Sequence, residues 1–176
     1  HDKCFDGLVS KAQIIEWEMK TNGHLKILIH DEYNFEYHVS DGVDSLKIFG
    51  TPYCTKYGSW SFMVDDEILW RKYAQIPDDV DILLSHDSPH INKMGAVLDE
   101  DSRFYNPNAG NKILAVNVLR INPLIFHSGH IHSGNHEPFF NGNTFFANVS
   151  CVNEDLEFVN PILSYTFDEE TKKILL

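Results

Sequence analysis

Two apolar segments of the sequence stop at polar loops that carry histidine. Val80 to Ser85 is nearly all apolar and ends at His86, and Leu124-Ile125-Phe126 runs toward Gly129-His130-Ile131-His132. Apolar segments of this length are typical of strands buried on both faces of a parallel sheet. Such strands often hold ligands at the points where they end. The sequence therefore predicts an α/β protein with a histidine-containing site at the ends of two strands.

The remaining pattern predicts an alternation of strands and helices. Asp41-Gly42 is a turn signal between two strands. No internal repeat or linker interrupts the chain, and we expect one domain over residues 1–176. The expected helices are Lys11–Lys20, Glu67–Gln75 and Lys112–Arg120, and the expected strands besides those above are Leu25–Ile29, Phe35–Val39, Leu46–Phe49, Thr144–Val149 and Ile162–Phe167.

Charge and cysteine content narrow the class of protein. The formal net charge is −12, which argues against a protein that grips the backbone of long nucleic acids, because that needs a Lys/Arg stripe. A phosphate-bearing small substrate remains compatible, since a bound divalent metal can dominate the local charge. Cys4, Cys54 and Cys151 have no paired spacing, which favours thiols in a reducing compartment. We expect a cytoplasmic protein with no membrane partner.

Histidine alone does not establish a metal site. With ten histidines in the chain, about 0.5 H-x-H triplets are expected by chance. A hydrogen-bonded structural role stays open for each histidine taken singly.

The order of several motifs resembles one enzyme family. Asp81–His86 and Phe126–His132 resemble the last two metal-binding motifs of calcineurin-like metallophosphoesterases, an apolar strand ending in His and then G-H-x-H. His1-Asp2 resembles the second half of that family's G-N-H-[DE] motif. Lys47–Tyr53 and Asn143–Cys151 are similar to segments of the metallophosphoesterase-domain-containing branch. The resemblance therefore covers most of the chain.

The resemblance implies a four-layer α/β/β/α sandwich and a phosphodiesterase that acts on nucleotides or other small phosphodiesters. It assigns His86 and His130 to one divalent metal ion and His132 to a second, with Mn, Fe or Zn as the candidate metals. Two such ions would activate a hydroxide for attack on phosphorus. His1 would protonate the leaving oxygen, oriented by Asp2.

Two departures from the family pattern matter. The first departure is that the sequence begins inside a motif, and the family's D-x-H, G-D and G-N elements, which supply most remaining metal ligands and the first strands, are not among its 176 residues. We expect a fragment of a longer chain, or one piece of a protein whose separate N-terminal fragment is its partner. The second departure is Asp87-Ser88-Pro89, where the branch usually has Gly and Pro. Asp87 has two interpretations, a carboxylate that supports the adjacent metal ligand or a solvated loop residue.

Other interpretations stay open at this point. The missing ligands favour, as the alternative function, a catalytically silent nucleotide-binding or interaction domain that keeps the fold. A structural zinc domain is disfavoured, because Cys and His do not occur in paired spacings. The aromatic side chains Tyr53, Tyr57 and Trp60 either pack in the core or line a substrate cleft.

Overall fold

The computed structural model describes residues 11–102, 104–153 and 155–175. His1 and Asp2, to which the sequence assigns proton transfer, lie outside these ranges. Within them the chain forms three α-helices and ten β-strands. The helices are α1 (Lys11–Lys20), α2 (Asp66–Ala74) and α3 (Lys112–Ile121). The strands are β1 (Asp31–Val39), β2 (Gly42–Thr51), β3 (Cys54–Thr55), β4 (Met63–Val64), β5 (Ile82–Ser85), β6 (Ile125–Ser128), β7 (Phe139–Asn141), β8 (Thr144–Asn148), β9 (Thr166–Asp168) and β10 (Lys173–Leu175).

Six strands form one mixed sheet in the order β1-β2-β5-β6-β8-β7. The central four, β2, β5, β6 and β8, are parallel, and an antiparallel strand closes each edge. The register places Thr51, Ser85, Ser128 and Asn148 in one row across the sheet. These are the last residues of the four parallel strands, so the segments that follow them all leave the sheet at the same edge.

Helices α2 and α3 cover one face of the sheet. Tyr73 from α2 and Leu114 from α3 are fully buried and belong to one apolar cluster with Leu83 of β5 and Phe126 of β6. Helix α3 begins at Asn111, whose side chain accepts a hydrogen bond from the Leu114 amide at 2.8 Å. Such a cap satisfies one of the amides that a helix N-terminus leaves without a partner. The cap thereby fixes the start of α3 next to the loop that follows β5.

The opposite face of the sheet packs against the C-terminal segment. Ile125 of β6 and Phe145 of β8 are buried there against Leu163, Tyr165 and Ile174. The short pair β9 and β10 holds Ile174 in place through antiparallel pairing. Apolar side chains therefore cover both faces of β6 and β8, as central parallel strands require, whereas Leu84 of β5 is 38% exposed.

The structure confirms the α/β class and most of the predicted elements. The expected helix Lys11–Lys20 has the predicted bounds, the expected helix Glu67–Gln75 lies one residue later than α2 at both ends, and the expected helix Lys112–Arg120 ends one residue before α3 does. Among the described residues, no helix has the length and apolarity needed to cross a bilayer.

Two strand predictions are wrong. Leu25–Ile29 joins no sheet, because the amides of Leu25 and Ile27 donate hydrogen bonds to the side chains of Thr21 and Glu18. Most of the expected strand Ile162–Phe167 is also irregular, and only its last two residues belong to β9. Leu25 is 41% exposed in the first segment, whereas in the second Leu163 and Tyr165 pack against the sheet and Ile162 is 78% exposed. Strands β3, β4, β7 and β10 were not predicted.

Candidate metal centre

The loops that follow β2, β5 and β6 meet at the edge where the parallel strands end. His86 comes directly after β5, and its amide donates a hydrogen bond to the Thr51 carbonyl of β2 at 2.9 Å. His130 follows β6 by two residues. Their rings lie 4.5 Å apart, centroid to centroid. The structure therefore brings together the two histidines that the family resemblance assigns to one metal ion.

Cys54 joins this pair. One ligand atom from each of Cys54, His86 and His130 lies within 4.8 Å of the other two. Cys54 is 1% exposed and opens β3, the short strand that follows β2. Sequence reasoning did not include it in the site. Its place three residues beyond the end of a parallel strand was the available signal, which the lack of a paired cysteine spacing obscured.

His132 lies outside this group but faces the same cleft. Its Nδ1 is 3.0 Å from the carbonyl oxygen of Asn153. A histidine that donates one ring N–H to a backbone carbonyl keeps its other nitrogen as an acceptor, which is the usual arrangement of a metal ligand. The backbone carbonyl of His132 in turn contacts Nε2 of His136 at 2.7 Å. His132 is thus positioned to present Nε2 separately from the other three side chains.

Asp87 is buried beneath the site, so the interpretation as a solvated loop residue is wrong. Its Oδ2 accepts hydrogen bonds from the amide and the hydroxyl of Thr55 at 3.0 and 3.1 Å, and from Nδ2 of Asn111 at 2.8 Å. Its Oδ1 accepts from the Ser88 amide at 2.9 Å. Burial raises the pKa of the Asp87 carboxyl, and the hydrogen bonds from Asn111, Thr55 and Ser88 act in the opposite direction. The carboxyl group ties the loop after β5 to β3 and to the cap of α3.

Tyr73 extends this buried network into the core. Its hydroxyl donates a hydrogen bond to the carbonyl of Tyr53 at 2.9 Å and lies 3.4 Å from Oδ2 of Asp87. Burial, and then the neighbouring Asp87 charge, raise the pKa of Tyr73 well above its ordinary value. The phenol therefore stays protonated and acts as a hydrogen-bond donor that fixes the chain immediately before Cys54.

A cleft of about 640 Å³ opens over the three histidines. Tyr57, Trp60 and Phe104 line it, and each is 46–50% exposed. The Tyr57 ring stacks on His130, with centroids 5.5 Å apart and planes 27° apart. Tyr57 and Trp60 therefore line the cleft, as one of the two interpretations of the sequence has it. Tyr53 instead packs against the apolar core.

The donor atoms of this site suit a transition metal. Imidazole and thiolate favour Zn, Fe and related ions, whereas Mg and Ca favour oxygen ligands. Cys54, His86 and His130 make one compact group of such donors, and His132 supplies another imidazole to the same cleft. Cys54, His86 and His130 could thus hold one metal ion, and His132 lines the same cleft.

The chain has curated relatives, although no protein-family model matches it. A UPF0046 protein of Caenorhabditis elegans is 30% identical over 116 residues, which cover 65% of this chain and 28% of that protein. Metallophosphoesterase domain-containing protein 1 of Homo sapiens is 29% identical over 125 residues, which cover 68% of this chain and 35% of that protein. The chain thus spans about a third, or less, of the length of these relatives.

A solved structure described as GAP50, the anchor in the inner membrane complex of Plasmodium, is also similar. It is 12% identical and has a TM-score of 0.44, with 69% of this chain and 37% of that chain covered.

Proposed function

This chain is related to the metallophosphoesterase branch, and from that premise we propose that it forms part of a metal-dependent phosphoric ester hydrolase. The observation that carries the proposal is the meeting of His86 and His130 at the ends of adjacent parallel strands, beneath an open cleft. Histidines that converge at strand ends are typical of a metal site in an α/β protein. The acidic surface is consistent with this function, because bound cations would offset the charge of a phosphate ester.

In this proposal His86 and His130 hold one divalent cation and His132 contributes to a neighbouring one. Divalent cations bound there would lower the pKa of a water molecule and withdraw charge from the phosphoryl oxygens. The contact between His132 Nδ1 and the Asn153 carbonyl supports the assignment, because it leaves Nε2 as the ring nitrogen available to a ligand. The ligands that these residues do not provide would come from the rest of the protein.

His1 and Asp2 are proposed to transfer the proton. By resemblance to the family, His1 donates a proton to the leaving oxygen, and the Asp2 carboxylate orients the imidazole and favours its protonated form. Such an acid matters most when the leaving oxygen is strongly basic, since that oxygen departs poorly without a proton.

The shape of the cleft favours a small phosphodiester as substrate, with nucleotides as the leading class. Tyr57, Trp60 and Phe104 expose aromatic surface beside the metal-binding residues. Aromatic rings stack on nucleobases with roughly 1–3 kcal/mol per base. A nucleotide would thereby place its phosphate at the histidines and its base against these rings.

Metal-stimulated hydrolysis by the whole protein tests the proposal. We expect hydrolysis of bis(p-nitrophenyl) phosphate in the presence of Mn²⁺ or Zn²⁺, its loss on chelation, and its loss in His86→Ala and in His130→Ala. His38→Ala is the matched control, since His38 is exposed on β1 near the opposite end of the sheet. Undiminished activity in His86→Ala would refute the metal assignment.

Two further measurements separate the finer parts of the proposal. His1→Ala should reduce hydrolysis of an alkyl phosphodiester far more than hydrolysis of the p-nitrophenyl ester, whose leaving group needs no proton. Equal losses on both esters would exclude His1 as the acid. Calorimetric titration that shows tight nucleotide binding without turnover, even with added metal, would favour the silent binding domain instead.

A further inference from the structure

The sulfur of Cys54 shares the metal-binding group with two imidazoles. Ligand atoms of Cys54, His86 and His130 all lie within 4.8 Å of one another, and the cysteine is buried at the floor of the cleft. The three residues come from the segments that follow three adjacent parallel strands, β2, β5 and β6. The family resemblance assigns the two histidines and leaves Cys54 without a role.

We propose that Cys54 is a third protein ligand, bound as a thiolate, of the ion held by His86 and His130. This inference rests on the metal site of the proposed function. Zinc bonds of about 2.0–2.1 Å to nitrogen and 2.3 Å to sulfur place tetrahedral ligand atoms roughly 3.3–3.8 Å apart. Ligand atoms within 4.8 Å of one another reach that geometry by a contraction of at most about 1.5 Å.

The backbone around Cys54 is held in a fixed relation to His86. The Cys54 amide donates a hydrogen bond to the Phe62 carbonyl at 3.0 Å. Thr55, the next residue, donates twice to Asp87, the residue that follows His86. The residue after Cys54 thus hydrogen-bonds to the residue after His86. Partners that orient metal ligands in this way are a recurring feature of metal sites.

A thiolate in the donor set selects the metal. Two imidazoles and one thiolate favour Zn²⁺ or Fe²⁺, whereas Mg²⁺ and Mn²⁺ favour oxygen ligands. Binding converts the thiol to a thiolate, and the proton is released to solvent. The His86 site is therefore expected to take zinc in preference to manganese, and Mn²⁺ should not displace a softer ion from it.

Cobalt(II), a spectroscopic substitute for zinc, tests the proposal with a measurement that is independent of activity. We expect the full chain to bind Co²⁺ with a near-ultraviolet thiolate-to-cobalt charge-transfer band, which Zn²⁺ abolishes and Mn²⁺ leaves unchanged. Cys54→Ser should lose the band and bind Co²⁺ at least tenfold more weakly, because losing even an outer partner of a metal ligand costs roughly 10–100-fold. Cys151→Ser is the matched control, since Cys151 lies after β8 and outside the group, and it should keep both the band and the affinity.

The outcomes distinguish this inference from the proposed function. A charge-transfer band that persists in Cys54→Ser, or Co²⁺ binding without such a band in the unmodified chain, would overturn the thiolate ligand. In the second case, metal-dependent hydrolysis that needs His86 would leave the proposed function intact. A band that depends on Cys54 in a whole protein without any phosphodiesterase activity would establish the ligand and refute the function.

Discussion

Replacing Asp87 by alanine should destabilise the fold and loosen the candidate metal centre together. The carboxyl group is 4% exposed. It is the acceptor for the amides of Thr55 and Ser88, at 3.0 and 2.9 Å. Alanine removes this acceptor from both amides, from the Thr55 hydroxyl and from Nδ2 of Asn111. Thr55 is exposed and its donors can turn to water, so the loss falls on two buried donors, the Ser88 amide and Asn111 Nδ2.

The size of the effect follows from those two donors. A buried donor that loses its acceptor costs about 1–3 kcal/mol, so Asp87→Ala should lower the free energy of unfolding by about 2–6 kcal/mol. Asp87→Asn keeps one acceptor oxygen in the same place, and it should cost about half as much. Against a total stability of roughly 5–15 kcal/mol, the asparagine variant stays folded and the alanine variant becomes marginal.

Urea unfolding measures these differences. With a denaturant slope of roughly 2–3 kcal/mol per molar urea, the midpoint should fall by about 0.7–3 M in Asp87→Ala and by less in Asp87→Asn. Asp101→Ala is the matched control, because Asp101 is an exposed carboxylate on a loop. An Asp87→Ala midpoint within error of that control would refute the argument that Asp87 joins the two loops.

Three further predictions concern other parts of the fold. Burial lowers the pKa of His127 to about 4 from an unfolded value near 6.5, so stability present above pH 6.5 is lost toward pH 4. Between pH 6.5 and pH 4 the free energy of unfolding should fall by about 3 kcal/mol more in the wild type than in His127→Gln. Gly134→Ala should cost about 1–3 kcal/mol, because a Cβ there overlaps the Met94 carbonyl. At Gly129 a Cβ meets atoms only at 3.9 Å or beyond, so Gly129→Ala should cost far less stability. Thermal unfolding of the two variants measures the difference. Asn111→Ala should cost at least the ~1 kcal/mol of a lost helix cap, as chemical denaturation would show.

The two strands that precede the histidines were predictable because the residues that mark them are adjacent in the sequence. A short apolar run followed by polar residues marks both the burial and the end of a parallel strand. β5 ends immediately before His86, and β6 continues to Ser128, two residues beyond the predicted end. The pairing of the two strands was not in the sequence pattern, but any parallel pairing of adjacent strands would bring their carboxyl ends to one edge.

The features that were missed depend on contacts that the periodicity of a segment does not describe. Leu25–Ile29 has the alternation of a strand, yet the nearby side chains of Glu18 and Thr21 accept hydrogen bonds from its amides. Cys54 carries no spacing signal, and only the register of β2 against β5 shows that it lies near His86. Asp87 is the same case, because the partners that bury it, Thr55 and Asn111, are far from it along the chain. Periodicity describes which face of an element is apolar, and it does not describe which elements become neighbours.

The strand register and the metal centre depend on each other. Ser85 of β5 lies opposite Ser128 of β6, and His86 and His130 follow these two residues closely. Neighbouring strands are about 4.8 Å apart, so ligands that follow aligned strand ends start at nearly the separation that one ion requires. A slip of one residue between β5 and β6 would carry His130 about 3.3 Å along the strand direction. It would also turn every side chain of β6 to the opposite face of the sheet. The apolar row that includes Leu83 and Phe126 would then face the wrong side of the sheet. Core packing therefore specifies the distance between the two imidazoles, and a metal that binds only at that distance would further stabilise the same register.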